Sequence, residues 1–253
     1  MAIAEAGQHL VVVVAHPDDE TFGCGSLLAQ AAAAGARVTV VCATRGEAGE
    51  RTPDEATDHL PLGDVREREL RDAGAVLGVH TVELLHYADS GWDGALPVGA
   101  LCATAIDDLA DDLGERLARL APDVVLILEG DDGHRDHHHI RRAVETALTR
   151  RPMHVRLVWA CLSNRLMRRW IEEMRARQSE AVYLDLDLDG LGTPDAQLTA
   201  VDVGRHVDVR ERAIACHRSQ SSPFDGLSPE LRHAFLATSF IKHSVPRESD
   251  RDE

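Results

Sequence analysis

Two segments of the chain concentrate side chains that could bind a divalent cation and activate water. The first spans residues 15–20 (AHPDDE) and brings one imidazole together with three carboxylates: His16, Asp18, Asp19 and Glu20. Imidazole nitrogen and carboxylate oxygen are both good ligands for zinc. His16 and one aspartate could supply two of the three protein ligands of an open catalytic site, which leaves the other aspartate free as a base. The competing interpretation is an acidic turn that caps the next helix.

The second segment spans residues 130–139 (GDDGHRDHHH) and could complete such a site. His134 and His137 are three positions apart with Asp136 between them, so both imidazoles can lie on one side of the turn that enters a helix. The carboxylate beside them could orient an imidazole. A histidine-rich turn that faces solvent is the alternative.

Buried strands must position these two segments. Residues 11–14 are four consecutive valines, which is typical of a strand buried on both faces, and residues 124–128 form a similar apolar run before the second segment. Open α/β sheets bind ligands at the carboxyl ends of their parallel strands. The sequence therefore predicts that the two segments meet at that edge of a sheet.

The pairing of AHPDDE with a later H-x-D-H resembles the LmbE-like, or PIG-L, superfamily of metal-dependent N-deacetylases. That family includes the de-N-acetylase of glucosaminyl-phosphatidylinositol, and the deacetylase and conjugate amidase of mycothiol metabolism. The resemblance implies that Zn²⁺ binds to His16, Asp19 and His137. Fe²⁺ is the alternative metal, because a ligand set of two histidines and one aspartate suits both ions.

The resemblance also implies catalytic roles for three neighbouring residues. Asp18 would be the general base that takes a proton from the metal-bound water. His134, in its protonated form, would stabilise or protonate the tetrahedral intermediate. Asp136 would be the carboxylate that orients His134.

Four further matches to the family imply substrate-binding residues. Glu47 closes a T-x-G-E segment, and Arg66 begins an R-x-x-E segment. Asp89 begins a D-S-G segment, and His217 begins a late H-x-S-Q segment. In mycothiol-type relatives, that arginine and that aspartate contact sugar or inositol hydroxyls. A guanidinium and a carboxylate are groups that grip vicinal hydroxyls through paired hydrogen bonds.

Each of these matches has a structural alternative. Arg66 could form a helix-surface salt bridge with Glu67 or Glu69, and His217 could cap a helix. One residue departs from the mycothiol branch: Trp92 stands where a methionine is common. That departure weakens any transfer of substrate identity.

The function expected from these features is zinc-dependent hydrolysis of a linear amide bond. The substrate would be a small N-acylated molecule, an amino sugar or its glycoside, that loses an N-acetyl or other N-acyl group. One alternative is an amidase of thiol conjugates or other acylated amines. Another is a non-catalytic metal-binding protein, although Asp18 and His134 are surplus to three-ligand binding.

Strands and helices alternate along the chain, which predicts an α/β, Rossmann-like fold. It would contain a mostly parallel sheet with helices on both faces and a C-terminal addition of strands and helices. The predicted strands are 11–14, 37–43, 82–86, 124–128 and 155–161, with an edge hairpin of 181–188 and 197–203. The predicted helices are 24–34, 64–77, 98–120, 140–149, 164–178, 208–218 and 229–238.

Length and composition set the outer limits. The 253 residues fit one domain over residues 1–245, followed by a flexible charged tail over 246–253. The net charge of −16 argues against nucleic acid and anionic membranes as partners, because both repel an acidic protein. The scattered cysteines contain no C-x-x-C pair, and no apolar run approaches the length of a membrane span. With no basic leader at the N-terminus, a cytoplasmic location is expected.

Overall fold

The computed structural model describes residues 2–54, 56–176 and 191–243. Its centre is a seven-stranded sheet in the order β3-β2-β1-β4-β5-β7-β6. The strands are β1 His9–Val14, β2 Arg37–Cys42, β3 Thr81–Leu84, β4 Val124–Leu128, β5 Arg156–Cys161, β6 Thr199–Asp202 and β7 Thr238–His243. The first five strands in this order run parallel, while β7 is antiparallel to both β5 and β6.

Helices cover both faces of the sheet, which confirms the α/β prediction. The helices are α1 Asp19–Phe22, α2 Gly25–Ala33, α3 Leu62–Leu77, α4 Ile106–Leu120, α5 Arg135–Arg150, α6 Asn164–Arg175, α7 Val207–Ile214 and α8 Pro229–Ala237. One core lies between the sheet and α2, α3 and α7, and the other lies between the sheet and α4 and α5.

Strand β1 is buried along its whole length because it pairs with β2 on one side and β4 on the other. Val12 and Val14 point into the first core, and Val11 and Val13 point into the second. The uninterrupted valine run therefore has a direct physical cause, since neither face of this strand meets water.

The predicted long helix over residues 98–120 is shorter in the structure. Leu101–Ala103 forms a separate 3₁₀ turn, Thr104 is extended, and α4 begins only at Ile106. Backbone hydrogen bonds explain the interruption, because Leu101 N–H donates to Ala88 O in the loop after β3. Tying this segment to the sheet edge prevents it from continuing as one helix.

Other boundaries also differ from the prediction. Helix α5 begins at Arg135 instead of residue 140, so His137 lies in its first turn. Helix α7 ends at Ile214, before the predicted residue 218. The predicted edge strand over 197–203 is confirmed as β6, but its partner is β7, which was not predicted. The predicted strand 181–188 and tail 246–253 lie outside the described residues.

Across the three described ranges, no helix has both the length and the apolar character that crossing a membrane requires.

Candidate metal and active site

The two predicted segments meet at the carboxyl ends of β1 and β4. These strands are parallel neighbours, with Val13 opposite Ile127, so the loops that follow them emerge side by side. The ring centroids of His16 and His134 are 4.6 Å apart, and those of His16 and His137 are 5.2 Å apart. Residues far apart in the sequence therefore form one cluster.

The three predicted metal ligands converge within this cluster. His16 Nδ1 lies 3.3 Å from His137 Nε2, which lies 3.1 Å from Asp19 Oδ1. His16 Nδ1 and Asp19 Oδ2 are 3.6 Å apart. His137 therefore contacts one Asp19 oxygen and His16 the other. Ligand atoms at zinc-bond length on a tetrahedral ion are separated by about 3.4 Å. One ring nitrogen from each of His16, His134 and His137 lies within 4.8 Å of the others, a spacing that could hold a metal ion.

Backbone hydrogen bonds select which oxygen of Asp19 faces the histidines. Asp19 Oδ2 accepts from Ala15 N at 3.2 Å and from His16 N at 2.8 Å. The other oxygen is left facing His137. Burial raises the pKa of Asp19, but the charges of His137 and His16 outweigh it and bring this pKa well below its usual range. The carboxyl group is therefore ionised, as a ligand must be.

Each candidate ligand histidine has a carboxylate behind its second ring nitrogen. Asp136 Oδ2 lies 3.1 Å from His16 Nε2, and Asp89 Oδ1 lies 3.4 Å from the same atom. Asp132 Oδ2 lies 2.5 Å from His137 Nδ1. Carboxylates in this position fix the tautomer and the orientation of metal-binding imidazoles.

The predicted partnership of Asp136 with His134 is wrong. The Asp136 carboxylate contacts His16, Ser90 N at 3.0 Å and Cys102 Sγ at 3.0 Å, and the residue is fully buried. From the first turn of α5, this side chain points towards Nε2 of His16. Only the backbone N–H of Asp136 reaches His134, where it donates to Nδ1 at 3.2 Å.

His134 is held as a neutral imidazole. Burial lowers its pKa, and repulsion from His16 and His137 adds to the effect, which brings the pKa to about 4. Its Nδ1 accepts a hydrogen bond from the start of α5, so its proton is on Nε2. The protonated form expected from the sequence is therefore replaced by a neutral donor.

Asp18, the predicted base, is fixed by the buried Arg66. Arg66 Nη2 lies 2.9 Å from Asp18 Oδ2, and the guanidinium also donates to Gly46 O at 2.6 Å and Pro17 O at 2.5 Å. Burial raises the pKa of Asp18 to about 6, although Arg66 opposes this shift. The Asp18 backbone has a left-handed φ of 117°, which is uncommon for a residue other than glycine.

The contacts of Arg66 bear on one of its two predicted roles, the helix-surface salt bridge. It forms no helix-surface pair with Glu67 or Glu69, because Glu69 instead accepts from Ser219 N at 2.9 Å. Arg66 is only 4% exposed. It therefore supports the loop that carries Asp18, and its direct contact with substrate stays a prediction.

The other predicted substrate residues also hold loops together. Asp89 is buried and accepts from Gly91 N at 2.8 Å and Ala48 N at 3.2 Å. Glu47 is exposed and accepts from Asp89 N at 3.2 Å. His217 is 2% exposed and lies 2.8 Å from Glu20 Oε1, behind the first segment. A substrate contact by His217 stays a prediction.

Trp92 lies at the solvent-facing rim of the site. Its ring centroid is 5.3 Å from that of His134, and it is 45% exposed. Arg135 fixes the surrounding loop, since its guanidinium donates to Gly91 O at 2.7 Å and Gly94 O at 3.0 Å.

The supporting roles of three residues were not predicted from the sequence. Asp132 lies against His137, and Cys102 contacts Asp136. The fully buried Glu20 contacts His217 through one oxygen, and its other oxygen accepts from Asp18 N at 2.9 Å. For Asp132 the available signal was an acidic residue just ahead of the histidine pair. Cys102 carried no such signal, because its contact depends on how residues 100–104 pack.

Comparison with known proteins gives the same family in two ways. A family model described as GlcNAc-PI de-N-acetylase (PIG-L) matches residues 11–148. A relative from Saccharopolyspora erythraea, named 1D-myo-inositol 2-acetamido-2-deoxy-alpha-D-glucopyranoside deacetylase 1, is 33% identical over 237 residues. That alignment covers 85% of this chain and 78% of the relative.

Solved structures share the fold. A deacetylase–bog complex from the teicoplanin biosynthesis pathway has a TM-score of 0.63 at 19% identity, covering 94% of this chain and 99% of the other. GalB, the 4-carboxy-2-hydroxymuconate hydratase from Pseudomonas putida KT2440, has a TM-score of 0.57 at 18% identity, covering 95% and 97%. Since the second is named for a different reaction, the fold alone does not define the chemistry.

Proposed function

The chain belongs to the GlcNAc-PI de-N-acetylase (PIG-L) family, and from this membership we propose that it is a metal-dependent hydrolase that removes the N-acetyl group of an amino sugar. The observation that supports this most is the position of His137 Nε2, which lies 3.3 Å from His16 Nδ1 and 3.1 Å from Asp19 Oδ1. Beside them stands Asp18, a carboxylate that the ligand set does not need.

We propose Zn²⁺ as the metal, and Fe²⁺ suits the same two imidazoles and one carboxylate. When bound, the ion supplies Lewis acidity that lowers the pKa of a water molecule and polarises the amide carbonyl. His16, Asp19 and His137 would hold it, with Asp136 and Asp132 orienting the two imidazoles.

Asp18 and His134 would move and stabilise charge during the reaction. The Asp18 carboxylate, oriented by Arg66 at 2.9 Å, takes a proton from the attacking water. The neutral His134 donates from Nε2 to the oxygen of the tetrahedral intermediate, a role typically worth about 3 kcal/mol. The protonated Asp18 then delivers its proton to the leaving nitrogen, which departs as an amine.

The substrate class follows from the relatives. The relative from Saccharopolyspora erythraea is named for an acetamido sugar linked to inositol, and we propose an N-acetylated amino sugar or glycoside here. Trp92 stands at the rim, where a methionine is common in the mycothiol branch. The cytoplasmic location, the single domain over 1–245 and the lack of nucleic-acid or membrane partners stay predictions.

Metal analysis combined with a substrate panel tests this function. The purified protein is loaded with Zn²⁺ or Fe²⁺ and assayed for acetate release from N-acetylglucosamine, from its inositol glycoside and from an acylated thiol conjugate. We expect one bound metal per chain and turnover of the acetylated sugars. Faster turnover of the conjugate would identify an amidase instead, and metal binding without turnover of any substrate would identify a binding protein.

A further inference from the structure

Asp132 uses its two carboxylate oxygens for different contacts. Oδ1 accepts from the backbone N–H of His134 at 3.0 Å, which closes a tight turn around Gly133. Gly133 has a φ of +89°, the left-handed conformation that glycine adopts without strain. Oδ2 lies 2.5 Å from His137 Nδ1. The turn therefore aims the second oxygen at the histidine ring.

We propose that Asp132 is the positioning residue for His137: by accepting a hydrogen bond from Nδ1–H, it keeps the Nε2 lone pair directed at the cation. The proposal rests on the metal site of the proposed function. Nε2 is the ring atom that faces the other ligands, 3.1 Å from Asp19 Oδ1 and 3.3 Å from His16 Nδ1. A neutral imidazole can present that lone pair only when its proton is on Nδ1.

The two ligand histidines are supported in different ways. Behind His16, Asp136 is fully buried and receives further hydrogen bonds from Ser90 N and Cys102 Sγ, so several contacts hold it in place. Behind His137, the Asp132 side chain is 30% exposed and its position depends on the turn bond to His134 N. His137 is therefore the ligand whose second ring nitrogen, Nδ1, is held by a single side chain.

The substitution Asp132→Asn tests the hydrogen bond without removing the turn. The amide oxygen of asparagine can still accept from His134 N, so the loop is preserved. The amide nitrogen then faces His137 Nδ1 and can only donate. That reversal favours the tautomer with its proton on Nε2, the atom required for the metal.

Asp131→Asn is the matched control for charge. It removes one negative charge at the adjacent residue, but Asp131 Oδ2 accepts from Thr193 Oγ1 at 2.7 Å and contacts no ligand histidine. If the metal responds only to the summed negative charge of this loop, the two variants should weaken binding equally. If the hydrogen bond matters, they should differ.

The measurement is Zn²⁺ affinity of the full chain by competition with a chelator, together with the melting temperature of the metal-free protein. We expect Asp132→Asn to bind Zn²⁺ about 10-fold to 100-fold more weakly than wild type, and Asp131→Asn to stay near wild type. The metal-free melting temperatures should be similar. Equal affinity of Asp132→Asn and wild type, or equal weakening by both variants, would overturn the proposal.

A measurement on the wild-type protein avoids any folding defect of a variant. Long-range ¹H–¹⁵N correlation spectra of the Zn²⁺-loaded protein should show His137 protonated on Nδ1 and metal-bound through Nε2. The opposite assignment would overturn the role of Asp132 while leaving metal-dependent activity intact. A wild-type protein that binds no Zn²⁺ or Fe²⁺ would overturn the proposed function as well.

Discussion

Asp18 and Asp19 are adjacent residues of the same type, yet the structure gives them different surroundings. Asp19 faces both ligand histidines and has a pKa far below its usual range, whereas Asp18 pairs with Arg66 and has a pKa raised by burial to about 6. A carboxylate that faces the cation acts as a ligand, and a carboxylate beside it can accept a proton. Backbone geometry separates them, since Asp18 adopts φ 117° just before α1 begins.

We predict that Asp18→Asn retains metal but loses activity. Asparagine tolerates left-handed backbone and matches the shape of aspartate, so the loop and the Asp19 ligand should stay in place. Loss of a general base typically lowers turnover about 10²-fold to 10⁴-fold. Metal content and acetate release of the same preparation check both parts. His137→Ala is the contrasting variant, which should lose the metal itself. An Asp18→Asn enzyme as fast as wild type would refute the assignment of Asp18 as the general base.

Gly46→Ala tests whether Arg66 holds Asp18 in place. A Cβ at residue 46 would collide with the guanidinium, and φ is +64° there. We predict a loss of both stability and turnover, with the backbone alone accounting for about 1–2 kcal/mol. Gly7→Ala is the control, because Gly7 has φ +84° and nothing within 4 Å of its added Cβ. The melting temperature should fall in both variants, but turnover should fall only in Gly46→Ala. Equal turnover in the two variants would show that catalysis does not depend on the position of Arg66.

At the scale of the elements, His9 connects β1 to its surroundings. Its Nδ1 lies 3.0 Å from Leu120 O at the end of α4, and its Nε2 lies 2.9 Å from Thr39 Oγ1 on β2. Burial lowers the pKa of His9 below its ordinary value of 6.5, because the folded state disfavours the charged ring, although the Leu120 carbonyl partly opposes this.

This shift predicts a pH dependence of stability with a definite sign. Well above pH 6.5, His9 is neutral in both states and its contribution is complete. As the pH falls through 6.5, the unfolded chain takes up a proton first and stability is lost. His9→Gln should therefore lose less stability than wild type between pH 6.5 and pH 5. Urea unfolding across this range measures the difference, with the exposed His59→Gln as control. A steeper loss in His9→Gln would contradict the assignment.

The sequence predicted the elements that repeat a clear pattern and missed those that tertiary contacts create. The valine strand β1 and the apolar strand β4 were found because burial on both faces demands apolar residues throughout. Strand β7 was missed because it follows α8 directly, at Thr238, with no glycine or proline to mark the change. This strand is stabilised by pairing with β5 and β6, and its local sequence pattern does not predict it.

The site followed the same rule. The meeting of His16, Asp19 and His137 could be predicted because they follow strands whose carboxyl ends must share one edge. The orientation of side chains could not be predicted. Whether the Asp136 side chain faces His16 or His134 depends on how the first turn of α5 is rotated relative to the sheet. A rotation by one helical position would change its partner.

At the scale of the whole molecule, the site is assembled from four neighbouring strands. The loops after β1, β2, β3 and β4 contribute Asp18, Gly46, Asp89 and Asp132 respectively, and these strands are adjacent in the order β3-β2-β1-β4. The site therefore depends on the strand order of the sheet. A change in the pairing of β1 with β4 would separate the loop that carries Asp18 from the loop that carries Asp132.

Removing the metal should lower the stability of the entire fold. A cation that binds the folded state alone stabilises it by about 2.7 kcal/mol when its free concentration is 100 times Kd. We predict that a chelator lowers the melting temperature of the wild-type protein, and that added Zn²⁺ restores it. The His137→Ala variant should not respond to either treatment, and a wild-type melting curve indifferent to chelation would exclude this coupling.

His16 and His137 are separated by 121 positions, and yet their ring nitrogens lie 3.3 Å apart. On a growing polypeptide, the first histidine leaves the ribosome long before the second has been synthesised. The early pair of donors on its own is an incomplete chelate, so the chain is expected to capture its ion only after β4 has docked beside β1. Metal binding would then be a late step in folding, and it would indicate that β1 and β4 have paired.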